Sequence, residues 1–295
     1  MRAAGDPELK VYGIFGYPLG HTVSPAIQNC AFEHHKLKSI YFAFERPPAR
    51  FRFLMHNLKS LVLDGFNITV PFKEEVIPYL DRLSPETKAI GAVNTVKKEK
   101  GRWIGYNTDS YGFLTSLRKE ERFNPRGKHI LLLGAGGAAR AVAYGLGQSG
   151  AKEIRIINRE KFRYNRIKII RQFRKIFPQT LFVGFSLNGP NLIQALKGVE
   201  LVINATSVGV KFEEKRLIPT RLIPKAHSGH RLLFFDLVYH RSTPFLEDAK
   251  KKGHRILDGK GMLVYQGAKA FQIWTGKRAP VSQMKKALQD ALRSQ

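Results

Sequence analysis

The chain has 295 residues, 43% of them hydrophobic, which is enough for one large domain or two ordinary domains with apolar cores. Its 50 lysines and arginines against 23 acidic residues give a net charge of +27, which attracts anionic ligands and nucleic acid non-specifically but says nothing about the fold. The single cysteine, Cys30, excludes an internal disulfide and a four-cysteine zinc site, and it fits a reducing compartment.

Neither secretion nor membrane insertion is indicated by the sequence. The stretch at residues 1–16 lacks the apolar segment of a signal peptide, and no apolar run approaches the roughly 18–20 residues that span a bilayer. We therefore expect a cytoplasmic protein without a membrane segment.

The first hundred residues alternate between strand-like and helix-like segments. Strands are expected at residues 10–16, 39–45 and 63–70, and helices at residues 24–35, at 50–58 and, after Pro71, within 71–80. The stretch "GAVNTVKKEKGRWIGYNTD" (91–109) is typical of a hairpin with the charged tip "KKEKGR". This alternation predicts a parallel or mixed α/β sheet.

A second α/β series follows a helix expected at residues 109–121 and a break at "FNPRGK" (123–128), which indicates a hinge or a boundary. Strands are expected at residues 129–134, 153–158, 180–185, 200–205 and 231–238, with helices between most of them. Two more helices are expected at residues 259–276 and 280–295. The series predicts a doubly wound nucleotide-binding sheet.

A glycine-rich turn joins the first strand of this series to a helix of small residues, in "ILLLGAGGAARAVAYGLG" (130–147). The turn consists of Gly134, Ala135, Gly136, Gly137 and Ala138, and the next position accepts alanine in place of the third glycine of G-x-G-x-x-G. Such a turn lets phosphate approach the backbone, and the helix N-terminus offers N–H groups and a positive dipole end. We therefore predict a dinucleotide pyrophosphate site; a turn that serves packing alone is the alternative.

The end of the next strand distinguishes the two nicotinamide cofactors. NAD sites usually place an acidic residue there, on the ribose hydroxyls. In this chain Asn158 is followed by Arg159 and Arg163, which are suited to bind a 2′-phosphate by charge-assisted hydrogen bonds. Glu160 favours NAD instead, because a carboxylate repels a phosphate or accepts a hydrogen bond from a ribose hydroxyl. NADP is the predicted cofactor, and NAD or dual use stays open.

Residues 155–175 carry much of the positive charge. Ile167, Ile169 and Ile170 indicate an apolar side among basic positions, so we interpret the segment as a helix with a solvated basic face. A helix that binds RNA or DNA is the alternative, but neither zinc-finger spacing nor an RNA-binding aromatic signature supports it. No specific nucleic-acid partner is expected.

Six motifs cover almost the whole chain in order: "GYPLGHTVSPAIQN", "FNITVPFKE", "GAVNTV…GYNTD", "GAGGAAR", "INATSVG" and "GMLVYQGAKAFQIWTG". Together they resemble the shikimate dehydrogenase family, with its shikimate and quinate dehydrogenases. The resemblance implies an α/β catalytic domain built from residues 1–108 and 259–295, with a Rossmann NADP-binding domain inserted at 109–258. It also implies an NADP-dependent oxidoreductase that reversibly reduces 3-dehydroshikimate to shikimate, in the pathway to chorismate and the aromatic amino acids.

The resemblance assigns proton transfer to Lys73 as general acid and base, paired with the carboxylate of Asp109. The chemistry agrees, because a buried lysine has a lowered pKa and exchanges protons near neutral pH. The plain alternatives are a surface lysine at a helix start and a helix N-cap carboxylate. No metal is expected, because hydride transfer with nicotinamide needs none.

The remaining site residues are also implied by the resemblance. Positions that match the family's substrate contacts are Thr22, Ser24, Asn67, Thr69, Asn94, Asp109, Tyr239 and Gln266. Besides the glycine turn, the cofactor positions are Asn158, Arg159, Glu160, Arg163, Thr206, Leu237 and Gly259. The sequence departs from the family at Thr22, where a serine is usual, and in the short loop after Tyr239, which lacks the family's proline.

Two alternatives to an NADP-linked shikimate dehydrogenase stay open. Thr22 and Glu160 are compatible with a quinate/shikimate dehydrogenase that uses NAD or both cofactors. The positive charge is compatible with a catalytically silent regulatory or nucleic-acid-binding relative, although such a protein has no need of a proton-transfer pair. The expected partner is a small-molecule substrate, and the chain is expected to act as a monomer or homodimer.

Overall fold

The structure is a computed structural model that describes residues 9–210, 216–227 and 231–294. The chain divides into two compact units, the first made of Met1–Thr108 with Val264–Gln295 and the second of Asp109–Leu263. The second boundary falls at Val264, whereas the sequence analysis placed it at residue 259. The first eight residues, part of the stretch searched for a signal peptide, lie outside the described residues.

Twelve strands and ten α-helices occur in the described part of the chain. The strands are β1 (Lys10–Gly16), β2 (Ser39–Glu45), β3 (Gly65–Ile68), β4 (Arg82–Leu83), β5 (Thr95–Glu99), β6 (Arg102–Tyr106), β7 (His129–Leu133), β8 (Glu153–Asn158), β9 (Leu181–Ser186), β10 (Leu201–Asn204), β11 (Leu233–Asp236) and β12 (Arg255–Leu257). The helices are α1 (Ser24–His34), α2 (Pro48–His56), α3 (Pro85–Ile90), α4 (Asp109–Glu120), α5 (Gly137–Gln148), α6 (Arg163–Ile176), α7 (Gly189–Leu196), α8 (Pro244–Lys251), α9 (Lys260–Thr275) and α10 (Val281–Arg293).

The first unit contains a mixed six-stranded sheet in the order β2-β1-β3-β5-β6-β4. Strands β2, β1 and β3 run parallel, β5 is antiparallel to both β3 and β6, and β4 is parallel to β6. The β5–β6 hairpin turns at Lys100 and Gly101, whose φ angles of +48° and +77° are the left-handed values that a two-residue type I′ turn needs. The expected mixed sheet and its charged hairpin are confirmed.

Aromatic side chains form the core of the first unit. Phe15, Phe51, Phe66 and Phe72 are all buried, and the rings of Phe51 and Phe72 stack with their centroids 3.8 Å apart. Phe51 lies on α2, whereas Phe72 lies in the segment after β3. Their stacking therefore fixes the backbone next to Lys73 against a helix of the same unit.

The helix expected within residues 71–80 is wrong. Residues 71–76 form successive turns, and a short 3-10 turn follows at Ile77–Tyr79. Pro78 has no N–H and cannot donate to the carbonyl of Glu74, as a helix would require. The carbonyl of Lys73 instead accepts a hydrogen bond from the N–H of Val93 at 2.7 Å. This segment is therefore tied to the loop before β5.

The second unit is a doubly wound α/β fold. Its six strands are all parallel and follow the order β12-β11-β10-β7-β8-β9, the arrangement of a Rossmann dinucleotide-binding domain. The sequence analysis missed β12, because a three-residue strand is too short to show a periodic pattern. The break at residues 123–128 lies inside this unit, between α4 and β7, so it is not the boundary between the units.

Gly65, at the start of β3, has no room for a side chain. A Cβ at Gly65 would lie 2.6 Å from Nε1 of Trp274 and 2.8 Å from the carbonyl oxygen of Val96, and these two atoms are themselves hydrogen-bonded at 2.9 Å. We expect Gly65→Ala to lower the free energy of unfolding by about 1–3 kcal/mol through overpacking. Chemical denaturation followed by tryptophan fluorescence measures this change.

The matched control is Gly20→Ala in the same unit, because a Cβ there meets no atom within 4 Å. Equal stability of the Gly65 and Gly20 variants would contradict the packing described here.

Candidate functional site

Asn67 on β3 begins a buried network of polar side chains in the first unit. Its Oδ1 accepts a hydrogen bond from the Tyr41 hydroxyl at 2.7 Å. Its Nδ2 donates to the carbonyl of Asn94 at 2.9 Å and to the hydroxyl of Thr95 at 3.0 Å. Burial raises the pKa of the Tyr41 hydroxyl well above its ordinary value, so this group remains a donor at neutral pH.

Asn94 is the centre of the network. Its Oδ1 accepts from the backbone N–H of Thr108 at 2.7 Å and from the hydroxyl of Thr95 at 3.1 Å. Its Nδ2 donates to the hydroxyl of Thr108 at 2.9 Å and to Oε1 of Gln266 at 3.2 Å. Because Gln266 lies on α9, the network joins the hairpin to the C-terminal part of the first unit.

We call this set the amide network; its members are Tyr41, Asn67, Asn94, Thr95, Thr108 and Gln266. The structure thus brings together three predicted substrate residues, Asn67, Asn94 and Gln266. Sequence reasoning missed the other three. Thr95 and Thr108 could have been identified, because they stand in the motifs "GAVNTV" and "GYNTD", but the contact of Tyr41 with Asn67 depends on strand pairing.

The predicted hydroxyl residues follow the carboxyl ends of β1 and β3, which are neighbouring parallel strands. The N–H of Thr69 donates to the carbonyl of Phe15 at 2.9 Å, so Thr69 lies beside the end of β1. The hydroxyl of Thr22 accepts from the N–H of Ser24 at 3.4 Å. The N-cap position of α1 is Val23, which has no side-chain acceptor, so Ser24 is the first helical residue and not the cap.

Lys73 and Asp109 belong to different units. Lys73 is half-buried, so the expectation of a buried lysine is wrong; its segment forms turns that leave the side chain partly exposed. Asp109 is buried at the first position of α4 and directly follows Thr108 of the amide network. Their pairing stays a prediction.

The glycine turn of the second unit fits a dinucleotide pyrophosphate. Gly134 has a φ of +114°, and a Cβ there would lie 2.8 Å from the carbonyl oxygen of Ala205, so only glycine allows this approach of β7 to the end of β10. A Cβ at Gly136 would meet no atom within 4 Å. Gly136 also caps α5 without a side-chain acceptor, which leaves the N–H groups of Gly137 and Ala138 for an anion.

The loop after β8 carries the residues that are predicted to bind the adenosine ribose of the cofactor. The guanidinium of Arg159 lies over the ring of Phe162, 4.9 Å from its centroid. Glu160 accepts a short hydrogen bond from the Ser186 hydroxyl. Both Arg159 and Glu160 are exposed, and Asn158 ends the strand.

The remaining predicted residues of the second unit follow the carboxyl ends of β10, β11 and β12. Thr206 donates both its N–H and its hydroxyl to Oδ1 of Asn204, at 2.9 and 2.8 Å. Gly259 donates to the carbonyl of Val238 at 3.0 Å and packs so closely on Leu237 that a Cβ would clash with its carbonyl. Burial raises the pKa of the Tyr239 hydroxyl, so it stays protonated.

A buried carboxylate that sequence reasoning missed holds these loops in place. Asp236, at the end of β11, accepts from Nδ2 of Asn204 at 2.8 Å, from the N–H of Val238 at 3.0 Å and from the hydroxyl of Thr243 at 2.6 Å. No sequence signal distinguished Asp236 from other strand-terminal polar residues, since its three partners come from three different segments. Asp236 therefore fixes the Leu237–Tyr239 loop and, through Asn204, the position of Thr206.

The parallel order of the second sheet and its glycine turn define a Rossmann-type dinucleotide-dependent enzyme, and the first unit adds a buried polar site of the kind that binds a small polar substrate. The family model of the shikimate dehydrogenase substrate binding domain matches residues 14–96, and that of the shikimate 5'-dehydrogenase C-terminal domain matches residues 259–289. The chain belongs to the shikimate dehydrogenase family.

Its relatives match it over nearly their whole length. A shikimate dehydrogenase (NADP(+)) of Methanopyrus kandleri is 40% identical, over 98% of both chains. The crystal structure of shikimate dehydrogenase from Aquifex aeolicus has a TM-score of 0.82 and 40% identity, covering 95% of this chain and 98% of that one. The Thermus thermophilus enzyme in complex with NADP(H) and shikimate has a TM-score of 0.82 and 33% identity, covering 96% and 99%.

No helix in the described ranges is both long enough and apolar enough to cross a bilayer.

Asp236 generates a prediction about pH. Burial raises its pKa from 3.8 to about 6, against the opposing effect of its three hydrogen bonds. The folded state therefore binds a proton that the unfolded state has released, so the contribution of Asp236 to stability is complete below pH 4 and is lost as the pH rises through 6. When the pH is lowered from 7.5 to 5, the free energy of unfolding of the natural protein should rise by about 1.4 kcal/mol relative to that of Asp236→Asn.

Urea denaturation of both proteins at the two pH values measures the difference. The control is Asp290→Asn, an exposed position on α10, which should follow the natural protein at both pH values. A constant difference between the natural protein and Asp236→Asn would show that Asp236 does not titrate in this range.

Proposed function

We propose that this chain is an NADP-dependent shikimate dehydrogenase, which reduces 3-dehydroshikimate to shikimate and catalyses the reverse reaction. The observation that carries the proposal is the amide network, because three carboxamides held in place by hydroxyl and backbone partners suit a ring with several hydroxyls. The glycine turn supplies the second requirement, a pyrophosphate site. The names of the relatives support both the substrate and the cofactor.

Lys73 and Asp109 are the proposed proton-transfer pair. When bound at the glycine turn, the reduced dinucleotide would supply the hydride for the reductive direction. The ammonium of Lys73 donates a proton to the carbonyl oxygen as it becomes a hydroxyl, and in the reverse direction the neutral amine takes that proton back. The carboxylate of Asp109 orients the ammonium and holds its charge. Neither residue needs a metal for these steps.

The other polar groups orient the two ligands. For the substrate carboxylate we propose the hydroxyls of Thr22, Ser24 and Tyr239, and for the ring hydroxyls Asn67, Thr69, Asn94, Asp109 and Gln266. For the cofactor we propose the turn at residues 134–138 for the pyrophosphate, Asn158, Arg159 and Arg163 for the adenosine ribose and its phosphate, and Thr206, Leu237 and Gly259 for the nicotinamide side.

Three further proposals concern the whole chain. Its single cysteine favours a cytoplasmic location, where thiols stay reduced. We propose that the chain acts as a monomer or a homodimer. The substrate domain comprises residues 1–108 and the C-terminal segment, with the dinucleotide-binding domain inserted between them.

The variant Lys73→Ala tests the proton-transfer role. We expect kcat for shikimate oxidation with NADP to fall about 10²–10⁴-fold, the usual contribution of a general acid–base group, with a much smaller change in KM. The control is Lys59→Ala, an exposed lysine of the same unit, which should keep the natural kcat. A kcat of Lys73→Ala within threefold of the natural value would remove Lys73 from this role.

A quinate/shikimate dehydrogenase is the second candidate, favoured by the extra methyl group of Thr22 and by Glu160. Turnover of shikimate and of quinate, each with NADP and with NAD, separates the two. We expect the highest kcat/KM for shikimate with NADP. The variant Thr22→Ser should change the ratio of shikimate to quinate turnover, because it removes a methyl group from a residue whose hydroxyl contacts Ser24. No turnover in any combination would favour a catalytically silent relative.

A further inference from the structure

Glu160 poses a problem for an enzyme that uses NADP. An acidic side chain in this loop normally accepts hydrogen bonds from the ribose hydroxyls of NAD and repels the 2′-phosphate of NADP. The structure gives Glu160 other partners. Its Oε2 accepts from the Ser186 hydroxyl and lies 3.6 Å from NH2 of Arg166, and its Oε1 lies 3.8 Å from NH1 of Arg163. These contacts hold the pKa of Glu160 below its usual value, so the carboxyl remains ionised.

Arg166 anchors this arrangement. Only 8% of its side chain is exposed, whereas that of Glu160 is 58% exposed. Its guanidinium donates to the carbonyl of Asn158 at 3.2 Å, to the carbonyl of Phe185 at 2.6 Å and to the Ser186 hydroxyl at 3.4 Å. Because these acceptors lie at the ends of β8 and β9, the guanidinium and the Ser186 hydroxyl have fixed positions.

The charges near the ribose loop follow from this arrangement. Within the described residues Glu160 is the only carboxylate near Arg166, so the two form a compensated pair. Among the described residues the guanidinium of Arg159 has no hydrogen-bond or ion-pair partner, and it lies over the ring of Phe162, 4.9 Å from its centroid. Arg163 keeps 66% of its side chain exposed. Two arginines are therefore available to a phosphate in spite of the acidic residue between them.

We propose that Ser186 and Arg166 are specificity-determining residues. The Ser186 hydroxyl and the Arg166 guanidinium hold the Glu160 carboxylate in place, an arrangement that we call the bracket, so that the loop selects a 2′-phosphorylated dinucleotide. The bracket explains how an acidic residue is compatible with NADP at a position where it otherwise favours NAD. Glu160 is then a structural counter-ion of Arg166 and not a ligand of the ribose. This inference rests on the proposed function, because it concerns the cofactor of that reaction.

The test is a binding measurement without substrate, in which the fluorescence of NADPH and NADH gives the dissociation constant of each. The natural protein should bind NADPH more tightly. In Ser186→Ala the carboxylate loses its hydroxyl donor and becomes free to turn, so the ratio of the NADH to the NADPH dissociation constant should fall about tenfold, the value of one hydrogen bond to a charged group. Ser149→Ala, at the far end of α5, is the matched control and should leave the ratio unchanged.

The variant Glu160→Gln completes a double-mutant cycle. It should leave NADH binding within threefold of the natural protein, and Ser186→Ala should have no further effect on the ratio in that background. A tenfold loss of NADH affinity in Glu160→Gln, or an unchanged ratio in Ser186→Ala, overturns the bracket while the enzyme still binds dinucleotides. Failure of the natural protein to bind either dinucleotide would instead overturn the proposed function.

Discussion

The side chain of Asn94 satisfies both ends of one buried carboxamide with partners from three parts of the first unit. A buried amide that lacks a partner costs more free energy than its hydrogen bond contributes, so each partner must keep its place. The positions of the β5–β6 hairpin, of Thr108 and of α9 therefore depend on one another. The same constraint fixes the chain on either side of the proposed chemistry, because Val93 binds the carbonyl of Lys73 and Asp109 follows Thr108.

The second unit solves a similar problem with a carboxylate. Three donors from separate segments meet at Asp236, although burial alone disfavours its charge and raises its pKa. Asp236 lies at the carboxyl end of a parallel strand, the position where a doubly wound sheet binds its ligand. In both units a hydrogen-bonded polar residue at a strand end holds the loops that carry the proposed ligand-binding residues.

Much of the fold could be predicted from the sequence, because apolar strands and glycine turns are local signals. The wrong helix after Pro71 overlooked one local signal, because Pro78 lacks the N–H that a helix requires. The bond between Lys73 and Val93 that holds this segment could not be predicted, since the two residues are twenty positions apart in the chain. Long-range contacts also limited what could be predicted about the candidate site. Asn67, Asn94 and Gln266 stand in motifs, whereas Tyr41, Asp236 and Ser186 act through partners that only strand pairing brings near. Sequence patterns showed which residue types the chemistry needs, but not which neighbours hold them.

The basic segment at residues 155–175 has a physical explanation within the fold. Arg155 donates to the carbonyl of Ala195, Arg166 to that of Phe185, and Arg174 to that of Phe182. The carbonyl of Phe182 lies on the open side of β9, the edge strand of the second sheet, where it would otherwise be open to pairing with another chain, whereas the carbonyl of Phe185 lies on the side that pairs with β8. Arginine suits this task because its planar guanidinium offers five donors and keeps its charge when buried. Part of the large positive charge therefore serves to cover a sheet edge, a role that requires no nucleic-acid partner.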